Sequence, residues 1–215
     1  MKLFWTPASP FTRKVMVCAK ELRLDHAIDI IPTSWPLAWG YSDVPLNREL
    51  MHASPVARIP TLITDDGVAL VNSTTICLHL DALAGGNVLV PAGVSGARTW
   101  SLYGIADAII ESQIAIRAES LRPLEIRSES FVAKHAARIA RCFDVLESRA
   151  TELECAPEQR PDLAMITAGV ACAYQDWREW LVDFRDARPS LTRWANVFNA
   201  RASMQSTMPQ ETPQH

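Results

Sequence analysis

Ser9 stands directly before Pro10 and follows the apolar run Leu3-Phe4-Trp5. A serine in that position starts a helix well. Its oxygen accepts from a free N–H of the first turn, and proline loses nothing there because that turn has N–H groups to spare. A hydroxyl at a helix start also stands where the helix dipole favours a negative group. Ser73, ahead of another apolar helical run, is expected to cap its helix in the same way. Arg58, Ile59 and Pro60 lead into a hairpin, where proline suits the start of an edge strand. The five cysteines, Cys18, Cys77, Cys142, Cys155 and Cys172, are odd in number and contain no C-x-x-C pair. That disfavours a disulfide framework or a zinc site and suits a reducing cytoplasm. Five histidines without ligand spacing make a metal site an unsuitable expectation.

The elements that position these residues follow from periodicity. Lys2 to Trp5 reads as a short strand. Phe11, Val15, Cys18 and Leu22 share one helix face, and Ala27 to Ile31 reads as a second strand. Residues 32 to 53 form a long connection rich in proline and aromatics (Trp35, Trp39, Tyr41), with a short helix near Asn47 to His52. Thr61 to Thr64 and Val68 to Val71 flank Asp65-Asp66-Gly67, a hairpin signal. A third helix carries Ile76, Leu80 and Leu83 and ends at Ala84-Gly85-Gly86-Asn87.

Beyond the glycines only helical stripes remain. They run through Leu102, Ile105, Ile109 and Ile110, then Val132, Ala136, Ile139, Phe143 and Leu146. A further stripe runs from Leu163 through Ile166, Val170, Ala173 and Trp177 to Trp180. A last helix carries Leu191, Trp194 and Val197 or Phe198 behind Pro189, with Ser190 as its cap. From Met204 the chain is polar and is expected to be irregular. The order β-α-β-loop-β-β-α followed by helices predicts an α/β domain over 1–84, a linker over 85–95, an all-α domain over 96–209 and a tail over 210–215.

Composition narrows the class. The chain has 215 residues, 48% of them apolar, and a net charge of −3, so it has ample material for a core and no basic footprint for nucleic acid. Charge or proline interrupts every apolar stretch before the ~18 residues a membrane span needs. Pro7, Pro10, Arg13 and Lys14 break any signal-peptide pattern. A cytoplasmic protein without membrane or nucleic-acid partners is expected.

Three segments then resemble a known family. Ser9-Pro10-Phe11-Thr12-Arg13-Lys14-Val15 follows the first strand, Ser54-Pro55-Val56-Ala57-Arg58-Ile59-Pro60-Thr61-Leu62 precedes the hairpin, and Asn72-Ser73 opens the third helix. In this order they are similar to the glutathione-site segments of the cytosolic glutathione S-transferases, bacterial type. Tyr174-Gln175-Asp176-Trp177-Arg178 and Arg201-Ala202-Ser203-Met204-Gln205-Ser206-Thr207 resemble motifs of the family's helical half. The likeness runs through about residue 209. It departs at Asn72, where the family has Glu; at Met165, where it has Asp; and in the longer, more aromatic loop over 32–53.

The resemblance implies a thioredoxin-like domain fused to helices, in a homodimer that uses glutathione as co-substrate and needs no metal. Ser9 would donate to the glutathione thiolate. Phe11 would belong to the same site, Arg58 would reach the glycine carboxylate, and Ile59 before a cis Pro60 would pair with the cysteinyl backbone. Asn72 and Ser73 would face the γ-glutamyl end. Trp35, Tyr103, Ile110 and Glu111 would line the pocket of a small hydrophobic electrophile. Thr12 occupies the place of a second redox cysteine, which excludes dithiol chemistry. The implied reaction is conjugation, or a glutathione-dependent isomerisation or peroxide reduction. The alternative is a non-catalytic ligand-binding or protein-interaction module on the same fold.

Overall fold

A computed structural model describes residues 1–33, 47–178 and 182–211. The sheet has the order β2-β1-β3-β4, with β1 at Lys2–Trp5, β2 at Asp29–Pro32, β3 at Thr61–Ile63 and β4 at Ala69–Val71. β1 runs parallel to β2 and antiparallel to β3, and β3 runs antiparallel to β4. Side chains alternate across this sheet. Leu3 and Leu62 point to the main core with α1 (Pro10–Glu21) and α3 (Ser73–Leu83). Phe4 points to the other face, with Ile31 and Ile63, where Leu50 of α2 (Arg48–Ala53) covers it.

The remaining helices are α4 (Val94–Ser120), α5 (Glu129–Ser148), α6 (Leu163–Trp177), α7 (Pro189–Asn199) and α8 (Ala202–Gln205). Most of α6 is buried, as befits a helix apolar on nearly every side. Its Asp162 cap accepts from the Met165 N–H at 2.9 Å. A Cβ on Gly169 would lie 2.4 Å from the Phe198 ring, so the absent side chain is what lets α7 approach. The expected α/β domain followed by helices is therefore the observed architecture. No helix among the described residues is long and apolar enough to cross a membrane.

Several local expectations need correction. The second strand begins at Asp29, because a short 3-10 turn takes Asp25–Ala27. Phe198 is the buried partner of Trp194, whereas Val197 is 63% exposed. Helix α6 ends at Trp177, and Trp180 lies outside the described residues. The chain is not irregular from Met204: α8 forms, and Met204 is fully buried. Glu21 holds that segment by accepting from Arg201 at 3.0 and 3.1 Å and from Ser203. Cys18, Cys77 and Cys172 are buried, whereas Cys142 and Cys155 are half-buried.

Ser190 does not cap α7. Pro189 and Ser190 are already helical, and Arg188 precedes them without a side-chain cap. Glu147 of α5 supplies the acceptor instead, taking the Ser190 N–H at 3.1 Å and the Leu191 N–H at 2.6 Å. Partial burial pushes the Glu147 carboxyl up, but these N–H groups and Arg188 outweigh it and lower its pKa. A lowered carboxylate pKa stabilises the fold above the unfolded value and loses that contribution as pH falls through the folded one. Glu147→Gln should therefore cost about 1 kcal/mol near neutral pH. The gap from the parent should close in acid, below the ordinary carboxylate range. Denaturant titrations across pH check this, and a gap that persists in acid would refute it.

Candidate functional site

The sheet register decides which loops meet. Phe4 stands beside Thr61, and Thr61 beside Val71. Because the neighbouring strands are antiparallel, the end of β1, the start of β3 and the end of β4 lie together on three adjacent strands. Such strands are about 4.8 Å apart. The segments that continue from them, Thr6 to Ser9, Ile59-Pro60 and Asn72-Ser73, emerge at this one end. The three segments named from sequence are thus brought together by backbone pairing.

Ser9 is the N-cap of α1, as expected. Its backbone is extended, and its Oγ accepts from the Thr12 N–H at 3.3 Å. The Ser9 hydroxyl is half-buried, and its own proton has no acceptor among the described residues. The oxygen thus serves the helix while the proton stays free for an anion. Thr12 is buried and donates to Thr6 O at 2.7 Å and Ser9 O at 2.9 Å, fixing the turn from within.

The Ile59–Pro60 bond is cis. The Ile59 N–H and C=O have no backbone partner among the described residues. Arg58 is exposed, and its carbonyl accepts from the Thr61 hydroxyl at 2.6 Å.

At α3 the roles of two residues are exchanged. Asn72, not Ser73, is the N-cap, and its Oδ1 accepts from the Thr74 N–H at 2.8 Å. Its φ of 83° and ψ of 129° lie outside the left-handed helical well, a conformation sparsely populated by any residue with a side chain. Ser73 is the first helical residue and is nearly buried.

Helix α4 seats beside these segments through Tyr103, whose hydroxyl pairs with that of Thr74 and accepts from Lys14 Nζ at 3.2 Å. Ile110 is fully buried in the main core, so it does not present a wall to a cleft, while Glu111 is exposed. Trp35, Trp39 and Tyr41 lie outside the described residues. Half-buried Phe11 lies 5.7 Å from Lys14 Nζ, measured to its ring centre.

Lys14, Asp107 and Thr74 are contributors that sequence reasoning missed. Lys14 is wholly enclosed and bonds Asp107 Oδ1 at 2.7 Å. The signal was present: Lys14 lies four residues before the buried Cys18, and Tyr103 and Asp107 are one helical turn apart. Burial pulls the Lys14 ammonium down, but Asp107 and its other neighbours overcome this and raise the pKa above the usual 10.5. A raised lysine pKa contributes stability below the unfolded value and loses it as pH climbs through the folded one, here in strong alkali.

No group of residues suited to hold a metal ion occurs among the described residues. The arrangement offers a free hydroxyl proton at one helix N-terminus, a second helix N-terminus, and an unpaired N–H and C=O between them. Such a constellation can take an anionic sulfur or oxygen, a carboxylate and an extended peptide backbone.

The sequence pattern of the glutathione S-transferase N-terminal domain matches residues 3–88. A glutathione transferase family member from Pseudomonas fluorescens Pf-5, solved with bound glutathione, is 30% identical and superposes with a TM-score of 0.88, covering 98% of this chain and 99% of that one. A structure of a Pseudomonas fluorescens Pf-5 family member with bound S-(propanoic acid)-glutathione is 29% identical, with a TM-score of 0.84, covering 98% and 100%. The uncharacterized GST-like protein YibF of Escherichia coli K12 is 23% identical over 97% of this chain and 98% of its own.

The enclosed ammonium and its partly open counter-ion make unequal contributions. Asp107→Asn strands Lys14 in the interior and should cost about 3 kcal/mol. Lys14→Met leaves a carboxylate that water can reach and should cost less. Urea unfolding of both variants checks the ranking, and the reverse order would overturn it.

Proposed function

This chain belongs to the glutathione S-transferase family, and we propose that it binds glutathione and transfers its sulfur to a small electrophile. One observation carries the reading: Ser9 caps α1 with its oxygen and keeps its proton free, at the sheet end where Ile59 and the start of α3 converge. The glutathione held by the Pseudomonas relative supports the same reading.

In this reading the tripeptide lies along the Ile59 N–H and C=O as an added strand. Its γ-glutamyl carboxylate meets the α3 N-terminus at Ser73, and Arg58 takes the glycine carboxylate. The Ser9 hydroxyl donates to the thiolate. A free thiol ionises near pH 8.5, and lowering it by about two units takes ~2.7 kcal/mol. A hydrogen bond to a charged group supplies ~1.5–3 kcal/mol. The α1 N-terminus adds ~0.3–2 kcal/mol. Together they suffice to ionise the sulfur near neutral pH.

The thiol proton leaves to solvent, and the sulfur pair forms a bond to the electrophilic carbon. A leaving group departs with the electrons of the bond that breaks. The glutathione bearing a propanoic acid on sulfur, bound by the second Pseudomonas structure, is a product of this chemical kind. Isomerisation or peroxide reduction would use the same thiolate.

Ser9→Ala should lower conjugation of an aryl halide by roughly tenfold, equivalent to ~1.4 kcal/mol, and raise the pKa of the bound thiol. Turnover kinetics and ultraviolet titration of the thiolate test this; unchanged values in the variant would sink the assignment. Absence of glutathione binding at millimolar concentration would favour a non-catalytic module.

Asn72 accepts from Thr74 and brings no charge to the ligand's ammonium. Asn72→Glu should tighten glutathione about fivefold, ~1 kcal/mol, through charge assistance. It should also lower fold stability, because it replaces the asparagine cap that accepts from the Thr74 N–H. Calorimetry together with thermal unfolding tests both effects, and weaker binding would place the ammonium elsewhere.

The protein also pairs as a homodimer in this reading. Light scattering at twice the 23.9 kDa chain mass is the expected result, and the single-chain mass would refute it.

A further inference from the structure

Arg178 follows α6 and is held on three sides. Its Nε donates to the Tyr174 hydroxyl at 3.3 Å, its guanidinium lies 3.6 Å from the centre of the Trp177 ring, and only 7% of its side chain is exposed. Its one carboxylate partner among the described residues is Glu211, whose own side chain is 66% exposed. A fixed, enclosed cation thus pairs with a wet carboxylate on the last described residue of the chain.

The chain between these points leads back to the site. Met204 O accepts from Arg13 of α1 at 3.1 Å, and the Gln210 N–H donates to Pro7 O at 3.4 Å. Pro7 is two residues before Ser9, and Glu211 is the next residue after Gln210. Helix direction agrees. α6 starts beside the linker, with the Leu163 N–H on Leu89 O, and the linker leaves the far end of α3. Fifteen residues carry α6 about 22 Å back toward the end that holds Ser9.

Among the described residues, cations outnumber carboxylates at this place. The Tyr174 hydroxyl is pushed up by burial, while Arg178 and Arg117 of α4 act on it in the opposite sense. Two guanidinium groups therefore address this spot, and Glu211 is the single carboxylate paired there among the described residues. Guanidinium is also the cation whose fork best matches a carboxylate.

We propose that Arg178 is a specificity-determining anion seat for the acceptor substrate, and that Glu211 occupies this seat until a substrate carboxylate displaces it. The inference rests on the glutathione-transfer reading and narrows its substrate class to electrophiles that carry a carboxylate beside the reactive carbon skeleton. The strap from Met204 to Glu211 then acts as an internal competitor. Its carboxylate is drawn off into water, where it is already mostly exposed, as the substrate's carboxylate takes the fork.

Two aryl chlorides with the same leaving group separate charge from chemistry: 4-chloro-3-nitrobenzoate and 4-chloro-3-nitrobenzamide. Arg178→Gln should raise the ratio of the benzoate KM to the benzamide KM by roughly tenfold, the loss of one charge-assisted pair. Glu211→Gln removes the competitor and should lower the same ratio severalfold. Because Glu211 is exposed, this variant keeps the test open if Arg178→Gln does not fold.

Ratios unchanged in both variants would overturn the proposal and leave the pair a structural clasp. Calorimetric titration of 4-chloro-3-nitrobenzoate without glutathione gives a reading independent of turnover. Binding that tightens in Glu211→Gln supports the seat, and no binding in either protein overturns it. A parallel glutathione titration distinguishes the two levels. Absent glutathione binding sinks the transfer reading, whereas intact glutathione binding without charge discrimination sinks only the anion seat.

Discussion

Thr61 stands between Phe4 and Val71, and that register governs everything built at this end of the sheet. Sliding β3 by one residue would exchange its two faces, putting Leu62 where Thr61 and Ile63 now point. Both faces are occupied, by α1 and α3 on one side and by α2 on the other, so the slip would take Leu62 out of the main core and turn the buried, hydrogen-bonded Thr61 into it. The pairing is therefore strongly specified by burial. Its by-product is spatial: a helix start, an unpaired peptide edge and a second helix start are delivered to one place. None of the residues concerned needs to be near another in sequence.

The second layer of organisation is polar. Lys14 reaches from α1 to Asp107 and Tyr103 of α4, and Tyr103 reaches on to Thr74 of α3. This chain of bonds ties the helical half to both helices that border the candidate site. An apolar contact would hold the halves together at least as firmly. Hydrogen bonds add direction: Tyr103 is located by two partners on different elements. The cost of misplacing α4 is then borne by an enclosed ammonium, which has no alternative partner in water.

The sequence made the elements with dense local signals legible. Ser9-Pro10 starts α1, and Asp65-Asp66-Gly67 turns the hairpin with Gly67 at φ 84°. Each rests on contacts within a few residues. The misreadings occur where a distant group takes a role that local chemistry would also permit. Ser190 has the chemistry of a cap, but α7 starts one residue earlier, and Glu147 of α5 accepts the free first-turn N–H groups of Ser190 and Leu191 from 43 and 44 residues away. Ser73 lost its capping role to Asn72, which stands one residue earlier between β4 and α3 and accepts from the Thr74 N–H. Ile110 belongs to the stripe read for α4, yet a stripe tells which residues are buried and not which cavity they border. At the candidate site, the resemblance named the segments of Ser9, Ile59 and Ser73 that the register brings to one sheet end, whereas the Lys14–Asp107 pair joins residues 93 apart, a pairing that no local pattern marks.

Arg13 belongs to the first helix, yet its bonded partner, Met204 O, lies 191 residues later. Its remaining guanidinium nitrogens, Nε and Nη1, are buried without partners among the described residues, and burial lowers its pKa to about 10. Glu21, at the other end of α1, likewise meets Arg201 and Ser203. During synthesis the N-terminal half emerges first and can fold as a unit. It does so with a guanidinium and a carboxylate whose counterparts have not yet been made. Helix α1 therefore reaches its final environment only after residues 201–204 have been made, which delays completion of an early element until a late one is present.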